Sequence, residues 1–542
     1  MAARTKYGLL IAIVVVTLVR VGATHRVFSA VLDEPVHIAA GYDWLVNHSN
    51  GFDPVHPPLA RLVCALPLAR FSPPGTNDLI GAGNDLLYAA GGRYEHILAV
   101  ARRGNLVFLL VAMLCVWRWA SRTYSAGTAL VAVALLGLLP PILGHAGVVT
   151  TDMAVAATLP LALIAFERWL ERRDAKSAVL LGLAVGVGLL SKFSFVAFFP
   201  ICAAVLLVLR WISPHPAPSA PPSPRKRGEG TEGEGLRPAA ERRMRGAILT
   251  VAIAAVVAFL TLWAGYFFNF DTIAHVHPES AAMIFANVPL PAPLYWAGLH
   301  VVKIHDELGH LAFLLGAYSQ KGFWYYFPVL FFFKTPIPFL ILVIAGIAAI
   351  ARARRGLEFV LMPLALMLFV MTSHINIGIR HILPIYPPLC VAAAAGAAAL
   401  WRHAKGRIAA ALLLAWLVIG VALAHPDYLA WFNEFAGRHP ERVAVDSNLD
   451  WGQDILRLGK AARRKRIERG AVLVVASANI SAHGFPAYDG LQPFHPMTGW
   501  IAVSETALAL DPATPRGGYD WLTKGREYER IGKSIRLYFV SR

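Results

Sequence analysis

The run GAILTVAIAAVVAFLTLWAGYF, residues 246–267, carries no charged side chain over 22 residues. As a helix it would extend about 33 Å, enough to cross the hydrocarbon core of a bilayer. Ten further apolar runs repeat the signal, near 7–23, 104–120, 126–143, 153–170, 177–191, 194–211, 326–350, 357–373, 381–400 and 407–424. The chain of 542 residues is 57% hydrophobic and only 15% charged, and its mean hydropathy is +0.54. Soluble domains carry about 25% charged residues. The sequence therefore predicts an α-helical polytopic membrane protein with about eleven transmembrane helices. The first run, 7–19, has the length of a signal peptide, but with ten spans behind it an uncleaved first helix is expected.

Basic residues set the orientation. Arg4 and Lys6, Arg118 and Arg122, Arg168 to Lys176, Arg225 to Arg245, Arg352 to Arg355 and Arg402 to Arg407 all fall on one side when eleven spans are threaded in order. The positive-inside tendency makes that side cytoplasmic. The net charge of +17 is thereby assigned to membrane loops, and nucleic acid is excluded as a partner. The expected location is the plasma or bacterial inner membrane, with membrane lipids around the spans. The loop 24–103, the turn GHAGVVTTD (144–152), the loop 268–325 and the tail are expected outside the cytoplasm.

Four regions follow. Residues 1–211 form an N-terminal membrane region that includes the external loop 24–103. Residues 212–245, rich in Pro, Gly and charge, read as a disordered cytoplasmic linker. Residues 246–424 form a second membrane region. Residues 425–542 read as a small extracytoplasmic α/β domain, with strands in RVAVDS (442–447), AVLVVASANI (471–480) and IRLYFVS (535–541), and a helix in QDILRLGKAARRKR (453–466). The four cysteines lie in apolar runs without metal-like spacing and read as packing residues.

The first external loop holds LDEPVHIAAGYDWLVNHSNGFDPVHPPLAR, residues 32–61. Carboxylates beside a membrane span need a reason, because dehydrating them is costly. Asp33 stands where an N-cap belongs, with Pro35 in the first turn of a helix reaching about residue 48. Ile38, Tyr42, Leu45 and Val46 share a face, so this helix is expected to lie along the membrane surface. A turn at Gly51-Phe52-Asp53-Pro54 leads to a second helix opened by Pro57 and Pro58, with Leu59, Leu62, Val63 and Leu66 on its apolar face.

An Asp-Glu pair after the first span, with FDPVHPPLAR (52–61) downstream, resembles the protein O-mannosyltransferase family, glycosyltransferase family 39. More broadly it resembles the GT-C glycosyltransferases, which use polyprenyl-phosphate sugars. The resemblance implies that Asp33 belongs to the catalytic centre, as base, with Glu34 orienting the acceptor or Asp33 itself. N-capping is the competing reading of Asp33. Asp152 is similar to the family's second acidic position, which contacts donor or cation, although it would also serve as an N-cap. His37, His56 and Asp152 are taken as substrate-binding candidates. One departure is that Pro54 separates Asp53 from Val55-His56-Pro57-Pro58, so no role passes to Asp53.

Cations matter to the same chemistry, because a departing lipid phosphate must be stabilised. Lys192, in SKFSF, and Arg380, in IRHILPIYPP, fall on the outer side against the charge bias, and both positions resemble family motifs. They are the donor-phosphate candidates, with snorkelling to headgroups as the alternative. Lys334 joins them: if helical, it lies about 12 Å deeper than Tyr326 and calls for a carboxylate or anionic ligand. DSNLDWGQD (446–454) resembles a segment recurring in bacterial members of the family; it reads either as a polar turn or as a sugar or ion site.

His145, His374 and His381 show no ligand spacing with Asp152, so no metal site is assigned, and a divalent cation is left open as cofactor. Without a nucleotide-binding Gly loop, a soluble nucleotide sugar is disfavoured as donor. The expected function is inverting transfer of a sugar, mannose or another hexose, from polyprenyl phosphate to an extracytoplasmic protein, lipid or glycan. A flippase or transporter of lipid-linked sugars is the alternative; it predicts inverted repeats and midplane charges, which the sequence lacks.

Overall fold

The computed structural model describes residues 3–48, 53, 55–70, 79–88, 93–212, 236–524 and 526–541. Most of the expected linker, 213–235, lies outside the described residues, as does most of the turn at 51–54. Among the described residues, seven helices are long and apolar enough to cross a bilayer: Arg4–Thr24, Tyr94–Thr123, Asp152–Arg172, Phe195–Ile212, Gly246–Gly265, Ile379–Leu400 and Ala404–Leu423. Two bent pairs raise the number to as many as nine. Ala126–Leu136 meets Pro140–Ala146 at 64°, and Tyr326–Lys334 meets Ile337–Ala353 at 111°.

The straight spans expected at 126–143 and 326–350 are thus corrected to broken ones, and proline is the cause. Thr335, which precedes Pro336, is extended (φ −104°, ψ 132°), as the proline ring requires of its predecessor. Two more expected spans, near 177–191 and 357–373, are helical but short: Ala175–Leu189 has 15 residues and Glu358–Val370 has 13. The membrane core is packed closely where small residues meet. A Cβ on Gly346 would stand 2.0 Å from the carbonyl oxygen of Ala392, and one on Gly396 2.3 Å from that of Leu342. Helices Ile337–Ala353 and Tyr386–Leu400 therefore touch backbone to backbone, the usual way apolar helices associate in lipid.

The external loop differs from the surface-lying pair expected. Helix Glu34–Val46 begins with Pro35 in its first turn, as predicted, but it is buried nearly all round, from Glu34 through Ala39 and Ala40 to Trp44. Helix Leu79–Tyr88, which the sequence reading missed, covers one side, and Leu59–Ala65 covers another. Trp44 packs edge-on against Tyr266, 5.2 Å between rings. An amphipathic pattern could not reveal this, because the residues in between are small (Ala39, Ala40, Gly41) and suit either solvent or a helix contact.

The tail folds as the expected α/β unit, with more strands than predicted. Its sheet runs Ala487–Gly490, Arg469–Leu473, Gly499–Ser504, Ile535–Val540, Arg526–Ile531. The first two pairings are parallel and the last two antiparallel. Helix Ile455–Lys465 packs on it through Ile455, Leu458 and Ala462. RVAVDS is not a strand. 3-10 turns at Pro440–Arg442 and Asp446–Asn448 flank it, and Val443 and Ala444 are buried in the membrane region's core instead. Those apolar residues attach the tail to the helices rather than to the sheet.

Candidate functional site

Asp33 precedes its helix but does not cap it: its backbone is helical (φ −85°, ψ −17°) and its side chain accepts nothing from the first turn. The carboxylate turns instead to Arg380, which donates from Nη1 to Oδ2 at 2.7 Å. Arg380 enters from the 3-10 turn Ile379–Ile385, at the head of the long apolar helix. Its guanidinium lies 4.3 Å above the ring of Trp451, and among the described residues its Nε–H has no partner.

A second pair stands beside the first. Lys192, in the break between Ala175–Leu189 and Phe195–Ile212, donates to Asp152 at 2.5 Å. Asp152 sits in the first turn of its helix and does not cap it either. Lys192 and Arg380 both act on Asp152, with the rings of His145 and His381 nearby; Asp33, Asp152 and Asp446 act on Arg380. Two cations and three carboxylates therefore share one region. Their exposure separates their roles: the Asp33 side chain is 29% exposed, that of Asp152 1%.

His37 and His56 close one side, their rings 5.0 Å apart. Arg61 donates from Nε to Nδ1 of His37 at 3.2 Å, which requires a neutral imidazole. Burial, and then the Arg61 charge, bring the pKa of His37 down to about 4. Burial and the neighbouring His37 hold His56 well below its ordinary value. Arg61 also pairs with Asp53 and donates to the carbonyls of Asp53 (2.9 Å) and His56 (3.2 Å). Asp53 is thus tied through Arg61 to His37 and His56.

Two expectations change. Glu34 is fully buried and cannot touch an acceptor. Its oxygens accept from Arg102 Nε (2.8 Å) and Nη2 (2.6 Å), and from the amide N–H groups of Val31 (2.9 Å) and Val149 (2.8 Å). Of the two roles foreseen for it, only the orientation of Asp33 fits this geometry. Lys334 does not meet a carboxylate. It ends its short helix at the 111° bend. There its ammonium donates to the carbonyls of Leu429 (2.8 Å) and Asn448 (2.6 Å), 4.3 Å from the ring of Phe432. Lys334 thus stands at the bend, where these carbonyls meet it.

Sequence reasoning missed Arg102 and Asn105, one turn apart on Tyr94–Thr123 and both fully buried. Arg102 gathers the carbonyls of His25 (2.8 Å), Phe28 (3.1 Å) and Ser29 (2.8 Å) as well as Glu34. Asn105 donates to the carbonyls of His145 (3.0 Å) and Val148 (2.7 Å). Together they tie the chain leading to Asp33 to the chain leading to Asp152. The signal was present: a polar RRGN at the edge of an apolar span.

Residues 446–454 form the remaining wall. Leu32 donates its N–H to Trp451 O (2.9 Å), Ser29 N to Gln453 O (3.0 Å), and Ile379 N to Asn448 Oδ1 (2.9 Å). The segment is neither a surface turn nor a helix cap; it joins Asp33, Arg380 and Lys334 to the tail. Among the described residues, no three His, Cys, Asp or Glu side chains converge as a metal-holding group. His374 lies apart, against Asp306.

Residues 96–217 match the family described as dolichyl-phosphate-mannose-protein mannosyltransferase. The matched stretch holds Arg102, Asn105, Asp152 and Lys192, and stops short of Arg380. What the fold defines is a multi-pass membrane protein, one stretch of which resembles that mannosyltransferase family. Among solved structures, the chain is similar to ArnT from Cupriavidus metallidurans bound to undecaprenyl phosphate, at 14% identity over 99% of this chain and 98% of that one, TM-score 0.49. It is also similar to the oligosaccharyltransferase AglB from Archaeoglobus fulgidus in complex with an inhibitory peptide and a dolichol-phosphate, at 13% identity over 100% of this chain and 75% of that one, TM-score 0.42. No curated protein matches the sequence.

Proposed function

We propose that this chain transfers a hexose, mannose by family resemblance, from a polyprenyl-phosphate donor to a hydroxyl group on the extracytoplasmic side. The observation that carries the reading is the ion pair between Asp33 and Arg380, 347 residues apart, beside Asp152 and Lys192. It supplies an accessible carboxylate and two cations in one place, at the heads of membrane helices. Asp33 accepts the proton of the acceptor hydroxyl while that oxygen attacks the anomeric carbon. The bond from that carbon to the phosphate oxygen breaks, and its electron pair leaves with the phosphate. Attack opposite the leaving group inverts the anomeric centre. Arg380, whose Nε–H has no partner among the described residues, and Lys192 take up the charge gained by the phosphate. His37 and His56, both neutral, hydrogen-bond sugar hydroxyls without competing for the proton. In this reading the C-terminal domain is extracytoplasmic, because its segment 446–454 forms part of the site.

The test is a transfer assay on the purified protein with defined polyprenyl-phosphate sugars, paired with identification of the lipid-linked sugar that accumulates in cells lacking it. The two should name the same sugar. No transfer from any such donor, together with no accumulating lipid-linked sugar, would overturn the assignment.

A further inference from the structure

A cavity of about 550 Å³ lies between the start of helix Tyr94–Thr123 and the C-terminal domain, lined by none of Asp33, Asp152, Lys192 and Arg380. Arg26, Arg93 and His96 line it from the membrane region, and Arg463 and His483 from the tail, with Glu95 as the one carboxylate among the described residues. Among the described residues, nothing pairs with the guanidinium of Arg26 or Arg93, while Arg463 donates to the carbonyl of His483 (2.6 Å). Three guanidiniums line this cavity against one carboxylate, and the excess positive charge favours an anion held by charge-assisted hydrogen bonds. The 30-residue helix adds the partial positive charge of its N-terminus at the same place.

The cavity is built onto the transfer site. Tyr94 accepts at its hydroxyl from the N–H of Ala30 (2.8 Å), three residues before Asp33. Tyr88 stacks on Tyr94 at 4.7 Å, and its hydroxyl meets Nε2 of His483 at 3.0 Å. Arg102, which grips Glu34, lies eight residues along the same helix, about 12 Å away. The cavity therefore shares one helix with the residue that holds Glu34, next to Asp33, which suits a second group on a substrate larger than one sugar.

We infer that this cavity binds a phosphate group carried by the acceptor, and so anchors a phosphorylated glycan or glycolipid. The role as anchor rests on the glycosyltransferase reading; the binding of phosphate does not. The probe is inorganic pyrophosphate, titrated calorimetrically at low salt into the full-length protein in phosphatidylcholine nanodiscs. Lys192→Ala with Arg380→Ala removes the donor-phosphate cations, and this variant should keep one pyrophosphate site. Adding Arg26→Gln and Arg463→Gln, both at exposed positions, should weaken that site at least about tenfold, the loss of one charge-assisted hydrogen bond or more. Arg93→Glu, also exposed, should do the same through charge alone. Binding unchanged by these substitutions would overturn the site. Repeating the titration in phosphatidylglycerol nanodiscs separates the sources of phosphate. Equal affinity in both bilayers supports an acceptor group, whereas competition by phosphatidylglycerol would overturn the acceptor assignment in favour of a bilayer headgroup. Failure of the glycosyltransferase reading shows separately, as absence of sugar transfer by the unsubstituted protein.

Discussion

In the proposed reaction a single carboxylate, Asp33, decides the chemistry at the residue scale. Asp33→Asn preserves size and the hydrogen bond to Arg380, yet cannot accept a proton at neutral pH. Transfer should fall at least about a hundredfold with donor binding retained, and near-normal turnover would remove Asp33 as base. Arg380 and Lys192 are read by a double-mutant cycle of initial rate against donor concentration. Each change to Ala should cost roughly 2 to 3 kcal/mol, the two together should cost less than their sum, and Arg380→Lys should fall between. Strict additivity would mean that they serve separate groups. Asp450 offers a test by pH. Burial pushes its carboxyl up to about 7, from an unfolded value near 3.8. A raised carboxyl favours the protonated folded form, so its stabilising contribution is present in acid and lost as pH rises through about 7. Melting temperatures of Asp450→Asn and the unsubstituted protein should therefore shift in favour of the variant between pH 5 and 8. A constant difference would show that Asp450 is charged in both states.

Helix Tyr94–Thr123 is the element on which the site is mounted. Through Arg102 and Asn105 it holds two loops in register, one ending in Asp33 and the other in Asp152. Breaking a buried ion pair at one partner costs about 3 to 5 kcal/mol, because the other charge stays uncompensated. Arg102→Met alone should therefore lower the melting temperature sharply. Arg102→Met with Glu34→Leu should recover much of the stability but not the transfer rate, since Val31 and Val149 lose their common acceptor. If activity returned together with stability, the pair would serve the fold alone and not the placement of Asp33.

For the whole molecule, the orientation is the central prediction. A reporter active only outside the cytoplasm should be active when fused after residue 542 and silent within 212–245. The reverse pattern would place the carboxylates and the cations on the cytoplasmic side and remove the extracytoplasmic acceptor. The two membrane regions and the tail meet at one place, where segment 446–454 touches the first loop and the Arg380 turn. Cutting the tail away would thus unmake the site and leave most spans intact.

The membrane class and the positions of the helices were legible along the chain, because crossing a bilayer demands long runs of apolar residues wherever the protein folds. Asp33, Asp152, Lys192 and Arg380 were legible as charges that lipid would not tolerate without cause. Their pairing was not, since it depends on which helix heads become neighbours, and periodicity says nothing about that. Glu34 and Lys334 show the same limit: each is a charge needing a partner, but only tertiary contact supplied Arg102 to one and two backbone carbonyls to the other. RVAVDS carries a strand's composition, and the burial of Val443 and Ala444 among membrane helices overrode it. Local sequence determined which segments leave water; the packing of those segments decided which charges meet.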